Sequence, residues 1–138
     1  MEKAKHCLVI DDDADDQEIF KMCLNTVAPH VRCASAKNGV EAVTMLQSNT
    51  GYSPDFIFID MNMPKMNGLE CLRKLKEMDH LKKAKMFMYS TTSEKTAVSE
   101  SKELGAEDFI VKPAKTLELK EKLAWIFRVV SGIDPNTN

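Results

Sequence analysis

Three short runs of consecutive apolar residues, each followed at once by a polar side chain, most restrict the folds open to this chain. The runs and the residues that end them are 7–10 (CLVI) with Asp11, 56–59 (FIFI) with Asp60, and 86–89 (MFMY) with Ser90. An apolar run without alternation indicates a strand that is buried on both faces. A parallel sheet covered by helices on both sides provides that environment, so the sequence favours an α/β fold.

Segments with helical spacing separate these strands. Apolar residues recur at helical intervals across 15–27, 40–46, 69–75 and 119–130, and 94–104 reads as a polar helix that ends at Gly105. Residues 31–36 form a weaker strand typical of a sheet edge, and 109–111 form a short fifth strand. Five strands that alternate with five helices predict an open doubly wound domain.

Length and composition limit the domain organisation and the function class. The chain has 138 residues, 43% of them hydrophobic, which predicts one domain over 1–138 with a core at about 5–130 and a short flexible tail. A net charge of −2 argues against nucleic-acid binding, and no apolar run is long enough for a membrane span. The four cysteines lack metal-site spacing, and no secretory signal is recognised, so we expect a cytoplasmic protein.

Polar side chains gather where the predicted strands end. These residues are Asp11, Asp12 and Asp13 after the first strand, Asp60 after the third, Ser90, Thr91 and Thr92 after the fourth, and Lys112 after the fifth. The carboxyl ends of parallel strands form the ligand crevice of such a fold. Clustered carboxylates repel one another unless a cation lies among them, and Mg²⁺ prefers such oxygen ligands. An ionised aspartate can attack a phosphoryl group, while Mg²⁺ and a lysine neutralise the charge. The pattern indicates phosphoryl chemistry on an aspartate.

The sequence resembles the receiver domains of two-component response regulators, most closely the single-domain chemotaxis type. The matching stretches are 9–13 (VIDDD), 58–64 (FIDMNMP) with Gly68, Ser90, and 105–113 (GAEDFIVKP). They occur in the family's order within roughly residues 5–130. The resemblance implies a flavodoxin-like sheet of five parallel strands in the order 2-1-3-4-5.

The resemblance also implies a role for each matching residue. Asp60 would be the phosphoacceptor, and Lys112, Ser90 and Phe109 would be the catalytic and switch residues. Mg²⁺ or Mn²⁺ would be bound directly by Asp12, Asp60 and the main-chain carbonyl of Asn62, and by Asp11 through water. Pro64, Gly68 and Pro113 would shape the loops, with a cis peptide bond between Lys112 and Pro113. Ser90 replaces the more frequent threonine, Phe109 lacks the hydroxyl of tyrosine, and Ala114 stands where many members have phenylalanine.

The expected function is a stand-alone receiver in phosphorelay signalling, which is not an enzyme beyond its own phosphorylation and dephosphorylation. A sensor histidine kinase or histidine phosphotransfer protein would donate the phosphoryl group. Only about eight residues follow the last predicted helix, so output would pass through contact with a downstream protein. The predicted contact face comprises the fourth helix, fifth strand and fifth helix.

Two alternatives remain open. A phosphatase of the haloacid dehalogenase type would use the Asp-x-Asp pair of Asp11 and Asp13, although the further acidic pair of that class is not found after Lys112. A receiver-fold module could instead bind partners without being phosphorylated.

Three further features have structural explanations. Asp13 is expected either to cap the first helix or to lie in the outer shell of the metal site, and Asp15 and Asp16 are expected to form the solvated first turn of that helix. Trp125 lies off the apolar stripe of the last helix. It is expected to be either an aromatic residue packed at the rim of the core or an anchor for a partner protein. The three histidines have no ligand spacing, and we expect them at the surface or at edges.

Overall fold

A computed structural model describes residues 5–130, and its centre is one sheet of five parallel strands. The strands are β1 (His6–Ile10), β2 (Arg32–Ala36), β3 (Phe56–Ile59), β4 (Lys85–Ser90) and β5 (Asp108–Val111). Their order across the sheet is β2-β1-β3-β4-β5. The predicted fold class and strand order are confirmed, and the weak second strand lies at the edge as expected.

Within residues 5–130, five α-helices connect and follow the strands. They are α1 (Ala14–Val27), α2 (Gly39–Ser48), α3 (Gly68–Lys76), α4 (Lys95–Glu103) and α5 (Thr116–Trp125). A 3-10 turn at Asp79–Leu81 precedes β4, and α5 continues as a wider π-helical turn over Ile126–Val130. No helix within residues 5–130 is both long and apolar enough to cross a bilayer.

The apolar runs supply two hydrophobic cores, one on each face of the sheet. Alternate strand residues such as Val9 and Phe58 pack with the inward side chains of α1 and α5. Their neighbours, such as Leu8 and Ile57, pack with the inward side chains of α2 and α3. Because successive strand residues point to opposite faces, a strand covered on both sides needs an apolar residue at every position.

Two expectations about helix faces are corrected. The apolar spacing across 40–46 predicts Val40 on the buried face of α2, but Val40 is 41% exposed, and the completely buried Ala42 takes that place. The spacing across 15–27 predicts Ile19 on the buried face of α1, but Ile19 is 38% exposed, because Phe20, Cys23 and Leu24 fill the space against the sheet. The predicted tail, 131–138, and the side chain of Val130 lie outside the described residues.

The cysteines are free thiols. Cys7, Cys23 and Cys71 are buried, and Cys33 on the edge strand is partly exposed. Burial raises the pKa of the Cys71 thiol to about 12. These buried thiols pack in the core as small apolar side chains.

Candidate functional site

The carboxyl edge of the sheet brings together polar residues that are far apart in the sequence. Asp11 follows β1, Asp60 follows β3, Ser90 ends β4 and Lys112 follows β5. Asp11, Asp60 and Ser90 are buried, with exposed fractions of 1%, 6% and 0%. Polar groups removed from water need partners, and the contacts of this cluster show how they are satisfied.

Lys112 makes the shortest contacts between side chains in the cluster. Its Nζ donates to Asp11 Oδ2 at 2.7 Å and to Asp16 Oδ2 at 2.8 Å, whereas Asp60 Oδ2 is 3.5 Å away. The lysine side chain is only 9% exposed, and its Nζ lies 5.3 Å from the centre of the Tyr89 ring. Burial opposes the charged ammonium, but the hydrogen bonds that Lys112 donates to Asp11 and Asp16 outweigh it and raise the Lys112 pKa. Lys112 is therefore held as a cation among carboxylates.

The negative charge of the Asp60 carboxylate is balanced less well by its neighbours than the positive charge of Lys112. Burial raises the pKa of its carboxyl to about 6, and the nearby carboxylates of Asp11 and Asp12 add to the rise. Lys112 and the backbone N–H of Asn62, which donates to Asp60 Oδ1 at 3.3 Å, pull the pKa down but only in part. A further cation placed beside this buried carboxylate would stabilise its ionised form.

Three carboxylates are placed to bind such a cation. Asp11, Asp12 and Asp60 each offer one oxygen, and these oxygens lie within 4.8 Å of one another. Two of the residues are buried and Asp12 is exposed, so the cluster opens to solvent on one side. Hard oxygen donors with room for water suit Mg²⁺ or Mn²⁺ better than a softer metal. The donor set fits the predicted ion.

The first turn of α1 holds the acidic segment in place. The Asp13 side chain caps the helix by accepting from the backbone N–H groups of Asp15 and Asp16 at 2.9 and 3.1 Å. The backbone N–H of Asp13 donates to Asp11 Oδ1 at 2.9 Å, which orients the Asp11 carboxylate. The structure thus shows Asp13 as the expected cap, with its side chain occupied by the helix.

Two residues of the site were missed by sequence reasoning. Asp16 was expected to be solvated, but it binds Lys112, and its side chain is 35% exposed. Gln17 Nε2 donates to the main-chain oxygens of Asp11 and Ala36 at 2.6 and 3.1 Å, which ties α1 to the ends of β1 and β2. The signal for Asp16 was its position four residues before the buried Phe20, which places both on one helix face.

The loop after β3 is held against the phosphoacceptor candidate by a close backbone contact. A Cβ at position 68 would lie 2.4 Å from the main-chain oxygen of Asp60 and 2.8 Å from Met61 Cα. Gly68 was expected to supply a permissive backbone, but the reason for glycine here is this close approach. Pro64 is exposed in the same loop, and Lys65 has a φ of 68°.

Hydroxyl groups line the edge beside Asp60. Ser90 Oγ and Thr92 Oγ1 are 3.5 Å apart, and the backbone N–H of Thr92 donates to Ser90 Oγ at 3.4 Å. The side-chain amide of the exposed Asn62 donates to Thr92 Oγ1 at 3.5 Å. These long contacts leave the hydroxyls room to turn toward a ligand.

Phe109 lies in β5, and Pro113 follows the end of that strand. Phe109 is partly buried and packs against the core on the α2 and α3 side. The expected cis peptide between Lys112 and Pro113 is wrong, because no cis bond occurs within the described chain. Lys112 Nζ already reaches Asp11 with the trans bond, which X–Pro sequences ordinarily favour.

Other expected features lie away from this edge. Trp125 is 42% exposed, and Lys122 Nζ lies 4.9 Å from the centre of its ring. His6 begins β1, His30 is exposed in a loop and His80 lies in the 3-10 turn. None of the three belongs to the acidic cluster.

Comparison with known proteins gives a consistent result. A family model described as the response regulator receiver domain matches residues 7–124. The chain is 31% identical over 125 residues to the chemotaxis protein CheY of Pseudomonas aeruginosa, covering 91% of this chain and 98% of that protein.

Solved structures agree with the fold. The manganese-bound form of response regulator Rcp1 superposes with a TM-score of 0.80 at 23% identity, over 91% of this chain and 94% of that one. A chain of the CheX–CheY–BeF3–magnesium complex from Borrelia burgdorferi superposes with a TM-score of 0.75 at 26% identity, over 89% of each chain.

Proposed function

This chain belongs to the response regulator receiver domain family, of the CheY-like kind, and from that premise we propose that Asp60 is its phosphoacceptor. The donor is a phosphohistidine on a sensor histidine kinase or a histidine phosphotransfer protein. The single observation that carries the proposal is the position of Asp60, a buried carboxylate with an elevated pKa between Lys112 and two further carboxylates.

Asp60, Lys112 and Ser90 have different roles in the proposed phosphoryl transfer. A carboxylate oxygen of Asp60 attacks phosphorus, the bond from phosphorus to the donor imidazole breaks, and an acyl phosphate forms on Asp60. Lys112 supplies a fixed positive charge beside the incoming phosphoryl group. Ser90, at the end of β4, supplies a hydroxyl that can donate to a phosphoryl oxygen.

Asp12 and Asp60, with the main-chain carbonyl of Asn62, are the proposed direct ligands of Mg²⁺ or Mn²⁺, and Asp11 is proposed to act through water. When bound, the ion neutralises charge on the phosphoryl oxygens. One carboxylate oxygen from each of Asp11, Asp12 and Asp60 lies within 4.8 Å of the other two, which supports this assignment. The similar structures of Rcp1 and of the CheX–CheY complex are bound to manganese and to magnesium, respectively, and for this chain the ion is part of the proposal.

Signalling output is proposed to pass through protein contact. The contact face would comprise α4, β5 and α5, with Phe109 as the switch aromatic and Pro64, Gly68 and Pro113 shaping the loops around the site. Phosphorylation would bias a two-state equilibrium of this face by drawing Ser90 and Lys112 toward Asp60. A stand-alone receiver domain in the cytoplasm is the proposed context, with dephosphorylation of Asp60 resetting the signal.

The test is incubation with acetyl phosphate and Mg²⁺, followed by intact mass measurement. One phosphoryl adduct is expected for the wild-type protein, and none for Asp60→Asn or without Mg²⁺. Asp79→Asn is the matched control, because it removes an exposed carboxylate before β4, at the other end of the sheet.

Two other results would overturn the proposal. No adduct after rapid quenching would favour a binding module that acts without phosphorylation. An adduct that persists in Asp60→Asn but is lost in Asp11→Asn would favour the phosphatase alternative.

A further inference from the structure

Lys112 has a nearer partner than the phosphoacceptor, and that partner comes from α1. Asp16 Oδ2 is 2.8 Å from Lys112 Nζ, whereas Asp60 Oδ2 is 3.5 Å away. A contact of 2.8 Å is a charge-assisted hydrogen bond, while 3.5 Å is at the limit of one. The ammonium is thus engaged mainly with Asp11 and Asp16, and only weakly with Asp60.

The fold keeps Asp16 in this position without requiring the contact. Asp16 is in the first turn of α1, where Asp13 accepts from its backbone N–H and where a carboxylate suits the helix dipole. Its side chain is 35% exposed and borders a cleft of about 80 Å³ that Lys112 and Pro113 also line. The side chain can therefore turn toward solvent, whereas the buried Asp11 cannot.

A phosphoryl group on Asp60 would change the balance around Lys112. It adds negative charge and acceptor oxygens at the position that now has the weakest contact. An ammonium has three donors, and one directed at Asp16 is not available to the phosphoryl group. Because Asp11 and Asp16 hold Lys112 Nζ 3.5 Å from Asp60 Oδ2, a closer bond between Nζ and a phosphoryl group on Asp60 is opposed by the bond to Asp16.

We propose that Asp16 is a positioning residue that competes with the phosphoryl group for Lys112 and so weakens the phosphorylated state of this receiver. The inference rests on the proposed function of Asp60. Asp16 acts through Lys112 and has no contact with the reacting atoms. Removing its charge frees the lysine for the phosphoryl group.

The experiment measures the affinity for beryllofluoride, a phosphoryl mimic, by calorimetry in the presence of Mg²⁺. Asp16→Asn is expected to bind roughly three- to tenfold more tightly than the wild-type protein. Asp16→Glu keeps the carboxylate and should restore weaker binding. Asp15→Asn is the matched control, since it removes the same charge from the neighbouring exposed residue, which has no contact with Lys112.

A double-mutant cycle separates competition for Lys112 from a general charge effect. In a Lys112→Ala background, Asp16→Asn should no longer change the affinity, because the shared partner is absent. If Asp16→Asn still raises the affinity for beryllofluoride in the Lys112→Ala background, the inference is overturned. An unchanged or lower affinity in Asp16→Asn would overturn it as well.

Failure of the underlying function gives a different result. A wild-type protein that binds no beryllofluoride and forms no adduct with acetyl phosphate would overturn the role of Asp60, and the inference with it. Binding by the wild-type protein with equal affinity in Asp16→Asn would overturn the inference alone. Phosphorylation by acetyl phosphate gives a second readout, with a larger adduct fraction at steady state expected for Asp16→Asn than for Asp15→Asn.

Discussion

At the scale of single residues, the raised pKa of Asp60 has a consequence for stability. Burial first, and the carboxylates of Asp11 and Asp12 next, raise the pKa to about 6, above the value of about 3.9 in an unfolded chain. Between these values the folded state binds more protons than the unfolded state. Without a metal ion, the free energy of unfolding should therefore fall as pH rises through that window.

Asp60→Asn should remove this penalty. In EDTA, we expect the variant to be more stable than the wild-type protein by roughly 1 to 3 kcal/mol at pH 7.5, with a clearly smaller difference at pH 4.5. Urea unfolding at both pH values measures the difference, with Asp79→Asn as the control for an exposed carboxylate. Equal differences at the two pH values would contradict the assignment of the penalty to Asp60.

Gly68 is a residue at which even one methyl group cannot be accommodated without a shift. Because the added Cβ would meet backbone atoms of Asp60 and Met61, Gly68→Ala should lower the free energy of unfolding by roughly 2 to 3 kcal/mol. Gly51→Ala is the control, since its nearest neighbour would be a side-chain atom at 3.8 Å, and it should change stability by less than about 0.5 kcal/mol. Denaturant midpoints that fall equally in the two variants would refute this explanation.

Sequence reasoning located residues whose chemistry is tied to strand ends, and missed those whose role depends on packing. Asp11, Asp60, Ser90 and Lys112 could be placed together because parallel strands share one carboxyl edge. The Lys112 contact of Asp16 depends on how α1 is rotated against the sheet. The requirement for Gly68 depends on a backbone contact across the loop, which local propensity does not encode.

At the scale of elements, α4 is the helix with the weakest attachment. Within its nine residues only Ser101 is buried, whereas α3, of equal length, buries Gly68, Cys71, Leu72 and Leu75. Burial of apolar side chains is the main source of helix stability in a folded protein. An element with so little burial should open locally at low free-energy cost.

Hydrogen exchange measured by mass spectrometry should reveal this difference. We expect the backbone amides of α4 to exchange at least tenfold faster than those of α3 under native conditions. The comparison has an internal control, because the two helices have the same length and lie in one molecule. Equal protection of the two helices would show that burial does not set their relative stability.

The sequence predicted the elements better than their orientation. The apolar runs located β1, β3 and β4 to within one residue at each end. Periodicity could not decide which residues of α2 face the sheet, because Val40 and Ala42 both suit a buried position and only the final packing excludes Val40. The π turn at Ile126–Val130 was also not foreseen, since the spacing of apolar residues across 119–130 is that of a regular α-helix.

At the scale of the whole molecule, the acidic cluster should couple metal binding to stability. An ion that binds only the folded state stabilises it by about 1.4 kcal/mol at ten times its dissociation constant. We therefore expect Mg²⁺ to raise the thermal midpoint, and Asp12→Asn to reduce the rise, because Asp12 belongs to the cluster. Differential scanning calorimetry measures the midpoint, and NaCl at the same ionic strength is the control. A thermal midpoint that rises equally in NaCl and in Mg²⁺ would contradict specific binding.

The contact between Lys112 and Asp11 joins residues 101 positions apart, and this separation has a consequence for synthesis. A ribosome releases the residues of β1 and β3 long before those of β5. A partly made chain, or one truncated before residue 112, contains Asp60 without its lysine. Such a chain cannot assemble the complete site, so only a molecule synthesised through β5 contains the full set of charged side chains.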